Sequence, residues 1–448
     1  MRSFPTAVSL LGFLALPSQA QKPHHDVDPA RFPGITPSTD LVWHDCYSVF
    51  KCARLAVHAK VTDPRKPKRV KGNCGKPTVD PAIVKLPYVP VSGGPPHQGA
   101  VHVSLGGWSS STTNFLVLFG EDYAPLFTGH DLIAIGYRGW GWTTSAFRCF
   151  ASEEERKQFA LSEPQLLGAD DAAYTTREKR AEDFENRCKK NGEDVGRLMG
   201  TYSNAVDHYT VLKADNRTKM GFWGISSGAH LGQTIAQVYP KVVDKFLFDS
   251  PAPSSLAYTV TTAQPSQIKD AERGLYAFFY TCFHAPANSS FAGSSTTTAE
   301  LRSRYTALET KLKTKPLGGT GTDRKFDCNV LTEAETGMVG GWIGYVLTSV
   351  LHQVPAPLPL LTEDAPFEGI LAGVCTDELR HIKGEDDFKS YFKSMTDAAP
   401  SVASIFSEWR LVCSKWRIDP VNRLDDTSGG PVRKQGKFVV LNGVGDPA

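Results

Sequence analysis

Five residues near the middle of the chain, Gly224-Ile225-Ser226-Ser227-Gly228, constrain its fold more than any other feature. A Gly-x-Ser-x-Gly segment does its work only between a strand and a helix. The serine must sit on a tight, strained turn so that its hydroxyl stands above a sheet. Glycines two residues to either side remove Cβ atoms that would collide with the neighbouring strand and helix. The flanks agree: residues 220–223 are aromatic and apolar, and 227–239 carry Ala, Leu and Ile at helical spacing. Ser226 is therefore the candidate nucleophile, and the backbone N–H of Ser227 a candidate oxyanion donor.

The rest of the first half repeats the alternation. Strands are expected at 55–59 and 82–91, and at Val101, Val103 and Leu105, which alternate with His102 and Ser104. The apolar run at 132–135 suits a parallel strand covered on both faces. Ala205, Val206, Tyr209 and Leu212 predict a helix over 201–213 with Thr201 as its N-cap, and another strand follows at 245–248. This order predicts the α/β class, with a doubly wound, mostly parallel sheet.

Beyond residue 250 the alternation stops. Residues 251–434 are helical in character, with Ser/Thr/Gly-rich loops, and are expected to form a large inserted cap. Within them 338–354 is apolar, but it carries three glycines and His352 and falls short of the roughly 20 apolar residues a membrane span needs. It is expected to be a buried cap helix, and no membrane span is expected. The sheet pattern returns at 438–441, in a final core segment 435–448 that complements the first part at 21–250.

The formal net charge is +2, and the densest basic stretch (residues 64–69) is broken by two prolines, so no nucleic-acid partner is expected. Residues 1–20 read as a secretory signal peptide: Arg2, an apolar run at 7–16, and small residues at Ser18 and Ala20. Sequons at Asn216 and Asn288 then predict N-linked glycans on a secreted protein. The nine cysteines show no paired CxxC spacing, so disulfides rather than a metal site are expected. Their pairing stays open, and the odd count leaves one over. Neither metal nor cofactor is expected, and the oligomeric state cannot be read from the residues.

A second oxyanion donor should come from the loop after the third core strand. Gly106-Gly107-Trp108-Ser109 stands in that place, which makes Gly107 and Trp108 candidates. With both halves of the device in order, the chain resembles the tripeptidyl-aminopeptidase family of secreted α/β-hydrolases (peptidase family S33, with a TAP-like C-terminal region). The likeness runs over nearly the whole mature chain. It includes Trp43 and Cys46, the segment from Cys52 to Asp63-Pro64, His130-Asp131, Arg138-Gly139-Trp140-Gly141 and Cys149. Later markers are Leu231-Gly232 and Asp249 after the Ser226 elbow, Cys375-Thr376-Asp377, Cys413-Ser414-Lys415-Trp416 and Gly443-Val444-Gly445-Asp446-Pro447.

The resemblance implies an α/β-hydrolase fold in which Ser226 is the nucleophile, Asp446 the triad acid, and the reaction the release of short peptides or residues from peptide N-termini. The substrate would be a peptide, or a small ester if the altered loop, where Trp108 stands in place of the family's proline, has changed the choice; separately, Gly136 stands where an aspartate is usual before the Arg-Gly pair. The family's histidine lies some tens of residues past the acid, whereas here Pro447 and Ala448 follow Asp446. The expectation is of a chain cut short of its general base and of its last strand. A non-catalytic binding protein, or an esterase or lactonase, are the alternatives. His230, His352 and His381 do not suit the base, and Asp249 is a rival acid. Glu333, Glu335, Glu363 and Glu368 are the carboxylates available to hold a substrate ammonium group.

Overall fold

Successive residues of the central strands belong to two different cores. Leu132 and Ala134 are buried in one with Val101, Val103, Val84 and Leu116; Ile133 and Ile135 are buried in another with Ala100, Ile83, Ala53 and Val211. A strand with period-2 side chains has both faces covered only if elements lie above and below it. Each fully buried Leu or Ile contributes about 1.5–3 kcal/mol to holding those layers together.

The computed structural model describes residues 32–60, 78–106, 112–143, 146–162, 167–168, 172–251, 265–266, 268–284, 295–314, 367–378, 382–422 and 437–441. Its strands are β1 (His44–Cys46), β2 (Phe50–Arg54), β3 (Val57–His58), β4 (Thr78–Val79), β5 (Ala82–Leu86), β6 (Gly99–Ser104), β7 (His130–Ile135), β8 (Met220–Ile225), β9 (Val243–Asp249) and β10 (Lys437–Leu441). Its helices are α1 (Thr112–Tyr123), α2 (Glu153–Leu161), α3 (Ala173–Gly196), α4 (Thr201–Ala214), α5 (Ser227–Val238), α6 (Ala271–His284), α7 (Thr298–Thr314), α8 (Phe367–Asp377), α9 (Glu385–Ala398) and α10 (Ala403–Lys415).

Eight strands form one sheet in the order β1-β2-β5-β7-β6-β8-β9-β10. From β7 to β10 every neighbour is parallel, and β5 runs antiparallel to both β2 and β7. Helices α1, α4 and α5 make the crossovers between β6, β7, β8 and β9. A mostly parallel sheet in which only β1 and β5 are reversed, with β6 returning inside β7, is the α/β-hydrolase fold.

Three expected boundaries move. The strand expected over 82–91 ends at Leu86, because Pro87, Pro90, Pro95 and Pro96 remove the amide donors a ladder needs. In the stretch expected as a strand at 55–59, β3 takes only Val57 and His58. Thr201 is the first residue of α4 and Gly200, at φ 108°, is its N-cap. The cap acceptor comes from far along the chain: the Asp377 carboxylate accepts from the Thr201 amide at 3.0 Å and from its hydroxyl at 2.6 Å. A carboxylate at that end also opposes the positive pole of the helix.

Helix α3 was not apparent in the sequence. Its buried stripe (Ala173, Arg177, Ala181, Phe184, Glu185, Cys188, Gly192) has helical spacing, but two of its members are charged. Both are paired to residues near α10, Arg177 with Glu408 at 2.7 Å and Glu185 with Arg417. Disulfides join Cys46 to Cys52, Cys149 to Cys188, and Cys375 to Cys413. The second holds α3 to the segment after β7; the third joins α8 to α10. Cys74 and Cys328 lie outside the described residues, and Cys282 is buried on α6.

A second compact unit includes the described residues 273–284 and 295–314. Of it, most of α6 and all of α7 are described. They meet through Phe279 and Tyr305, ring centroids 5.6 Å apart, with Leu275 and Leu301 buried beside them. Residues 338–354 are outside the described set. Among the described residues no helix is long and apolar enough to cross a membrane.

Candidate active site

β8 and α5 meet at Ser226, whose backbone lies at φ 55° and ψ −122°. A left-handed φ at a non-glycine residue costs of order 1–3 kcal/mol and persists only where the surroundings enforce it. Here the Ser226 amide donates to the Asp249 carbonyl at 2.9 Å, and the Ser226 carbonyl accepts from Ala229 at 2.9 Å. One bond ties the turn to the next strand; the other starts the helix.

The two glycines meet the demand placed on them. A Cβ on Gly228 would run into the Ser104 carbonyl of β6, and one on Gly224 into the Gly228 carbonyl. The consequence is a contrast in exposure: Ser226 is exposed, while Ser227, Gly228, Ala229 and His230 behind it are buried. The turn thus lifts one hydroxyl out of an otherwise closed layer.

Ser227 is the first residue of α5. Gly106, just beyond β6, lies against it: a Cβ built there would stand 2.8 Å from the Ser227 nitrogen. The φ of Gly106 is +81°. Gly107 and Trp108 lie outside the described residues, as does Asp446. The strand that leads toward Asp446, β10, ends with Leu441 beside Asp249. Asp249, the rival acid, accepts from the Ser250 hydroxyl at 3.2 Å, and Ser250 is itself at φ 49°.

His230 faces the buried side of α5, and burial pushes its pKa down to about 4. His352 and His381 are outside the described residues. Of the four carboxylates named for an ammonium group, Glu333, Glu335 and Glu363 are also outside. Glu368 is buried in the first turn of α8, and burial raises its pKa. Its Oε1 has no hydrogen-bond partner among the described residues. The next residue, Gly369, packs on the ring of Trp140 in the connection after β7. Asn216 is exposed at φ 55° after α4, whereas Asn288 is outside the described residues.

Two buried polar groups escaped sequence reasoning. Arg138 and Asp207 form a fork of two bonds at 2.7 and 2.6 Å, both 1% exposed, and Arg138 also donates to the Ala59 carbonyl. His102 of β6 and His208 of α4 place their Nδ1 atoms 3.1 Å apart in full burial. Strand alternation set His102 on the face opposite Val101 and Val103, and its partner on a helix over a hundred residues away had no signal in the sequence. Among the described residues no group of three or more His, Cys, Asp or Glu could hold a metal ion.

No protein-family model matches the chain, and no curated protein sequence matches it. Solved structures similar to it include a protein of Agrobacterium vitis S4 assigned as a hydrolase, at 15% identity, covering 46% of this chain and 54% of that one, TM-score 0.26. Epoxide hydrolase A from Mycobacterium thermoresistibile is similar at 13% identity over 75% and 73% of the two chains, TM-score 0.24. A mutant epoxide hydrolase of Vigna radiata is similar at 11% identity over 83% and 79%, TM-score 0.27. The chain thus spans about half the length of the Agrobacterium protein.

Proposed function

We propose that this protein is a secreted serine hydrolase, an exopeptidase that releases short peptides or single residues from free peptide N-termini. The observation that carries this reading is Ser226 itself: exposed, left-handed, and set on a strand-to-helix turn with both flanking glycines in close contact. The resemblance to the tripeptidyl-aminopeptidase family supplies the substrate class. Three disulfides support an oxidising compartment, and the exposed Asn216 supports a glycan at that sequon.

The Ser226 Oγ attacks the carbonyl carbon of the scissile bond while its proton passes to a general base. The resemblance assigns that base to a histidine, with Asp446 orienting it. The Ser227 amide, with donors from Gly107 and Trp108, receives the negative charge that forms on the carbonyl oxygen. The C–N bond breaks, the leaving amine takes the proton, and water then hydrolyses the acyl-enzyme. Glu368 is taken as the ammonium anchor, being buried with no hydrogen-bond partner for its Oε1 among the described residues. An anchor of this kind would count residues inward from the free N-terminus.

Peptidyl anilides with a free amine, the same peptides N-acetylated, and simple acyl esters separate the possibilities. The reading expects Ser226-dependent cleavage of the free-amine peptides, with acetylation raising KM at least ten-fold. Esters cleaved well with no response to the amine would establish an esterase. Peptide binding with no turnover, unchanged in Ser226→Ala, would mark a binding protein.

A further inference from the structure

Tyr137 reaches the candidate site through Ser104, the last residue of β6. Tyr137 follows β7 and is 6% exposed, and its hydroxyl shares a hydrogen bond with the Oγ of Ser104, which is fully buried. One buried phenol therefore ties the end of β6 to the segment that follows β7.

Ser104 is not an incidental partner. Its carbonyl is the atom that a Cβ on Gly228 would strike, so β6 ends in direct contact with the first turn of α5. Two residues on, Gly106 lies against the Ile225 carbonyl and the Ser227 nitrogen. The position of Ser104 along β6 thereby sets how Gly106 seats on the Ser226–Ser227 turn. Burial drives the phenol pKa up to about 12, so the hydroxyl keeps its proton at any working pH. A buried hydroxyl with one good partner is costly to leave unpaired, which holds the Ser104–Tyr137 bond closed.

We propose that Tyr137 is a positioning residue: its bond to Ser104 fixes the end of β6 against the elbow and so sets the Ser227 amide relative to the Ser226 hydroxyl. This rests on Ser226 being the nucleophile. The role is distinct from stability, because what it governs is the alignment of a donor with charge that forms only during reaction. Displacing a donor without removing it should cost less than the hundred-fold or more lost when an oxyanion donor is deleted.

The test is saturation kinetics of phosphonylation by a fluorophosphonate probe on the full chain. It compares wild type, Tyr137→Phe, Ser104→Ala and the double variant, with thermal melts alongside. The inference expects each single variant to lower the maximal labelling rate about ten-fold with half-saturation within two-fold. It expects the double variant to lose no more than either single one, since both break the same bond. Ser104→Thr, which keeps a hydroxyl, should recover most of the rate. Rates that stay at the wild-type value, or that fall only in step with the melting temperature, overturn the positioning role. Wild-type protein that shows no Ser226-dependent labelling overturns the nucleophile reading itself, and this role with it.

Discussion

The amide of Ser226 donates to the carbonyl of Asp249 across 2.9 Å, joining the residue just past β8 to the last residue of β9. That bond helps hold Ser226 at φ 55°, a conformation serine would not choose. Replacing Ser226 with glycine should therefore stabilise the protein by about 1 kcal/mol while ending hydrolysis. Urea melts of wild type and Ser226→Gly check it. A variant less stable than wild type would mean that the strain is not there.

Gly228→Ala presses a methyl group into the Ser104 carbonyl, a main-chain atom that cannot rotate away. Overpacking of this kind should cost about 3 kcal/mol and separate β6 from α5. A denaturation midpoint equal to wild type would show that the two elements are not in the contact described.

His102 and His208 are buried as neutral rings. His102 is pushed down to about 4 by burial, and His208 is well below its ordinary value, first by burial and then by its neighbour. In the unfolded chain both bind protons near pH 6.5, so below that pH the unfolded state holds more protons than the folded one. Stability is thus full above pH 6.5 and is lost as pH falls from there toward 4, by up to about 3 kcal/mol for His102 alone. His230 has the same sign. Thermal melts from pH 8 to pH 4 should show the fall, and the variant His102→Asn/His208→Asn should flatten it. Stability that rises on acidification contradicts the buried, neutral pair.

Arg138 and Asp207 are 1% exposed and bonded to each other. Truncating one leaves the other charged in the core, at a cost of about 3–5 kcal/mol. Arg138→Met or Asp207→Leu alone should show that loss, and the double variant should lose much less than the sum. Chemical denaturation of the three variants measures it. Additive losses would rule out the pairing.

The fold was legible where local chemistry and tertiary structure point the same way. The apolar run at 132–135, the alternation from Val101, and the glycines around Ser226 each identify an element whose burial follows from its own residues. It was not legible in α3, where Arg177 and Glu185 occupy buried positions because partners near α10 neutralise them. Nor did Thr201 reveal its cap, since the acceptor, Asp377, arrives from α8. At the candidate site the Gly-x-Ser-x-Gly spacing marked Ser226 and Ser227 as candidates. It gave no sign of Tyr137, whose bond to Ser104 joins two separate segments and has no motif.

The most direct measurement is to treat the protein with a fluorophosphonate, digest it, and locate the adduct by mass spectrometry. One phosphonyl group is expected, on Ser226, absent from Ser226→Ala and diminished by competing peptides with a free N-terminus. An adduct on another residue, or labelling that survives Ser226→Ala, would contradict the assignment of Ser226 as the nucleophile.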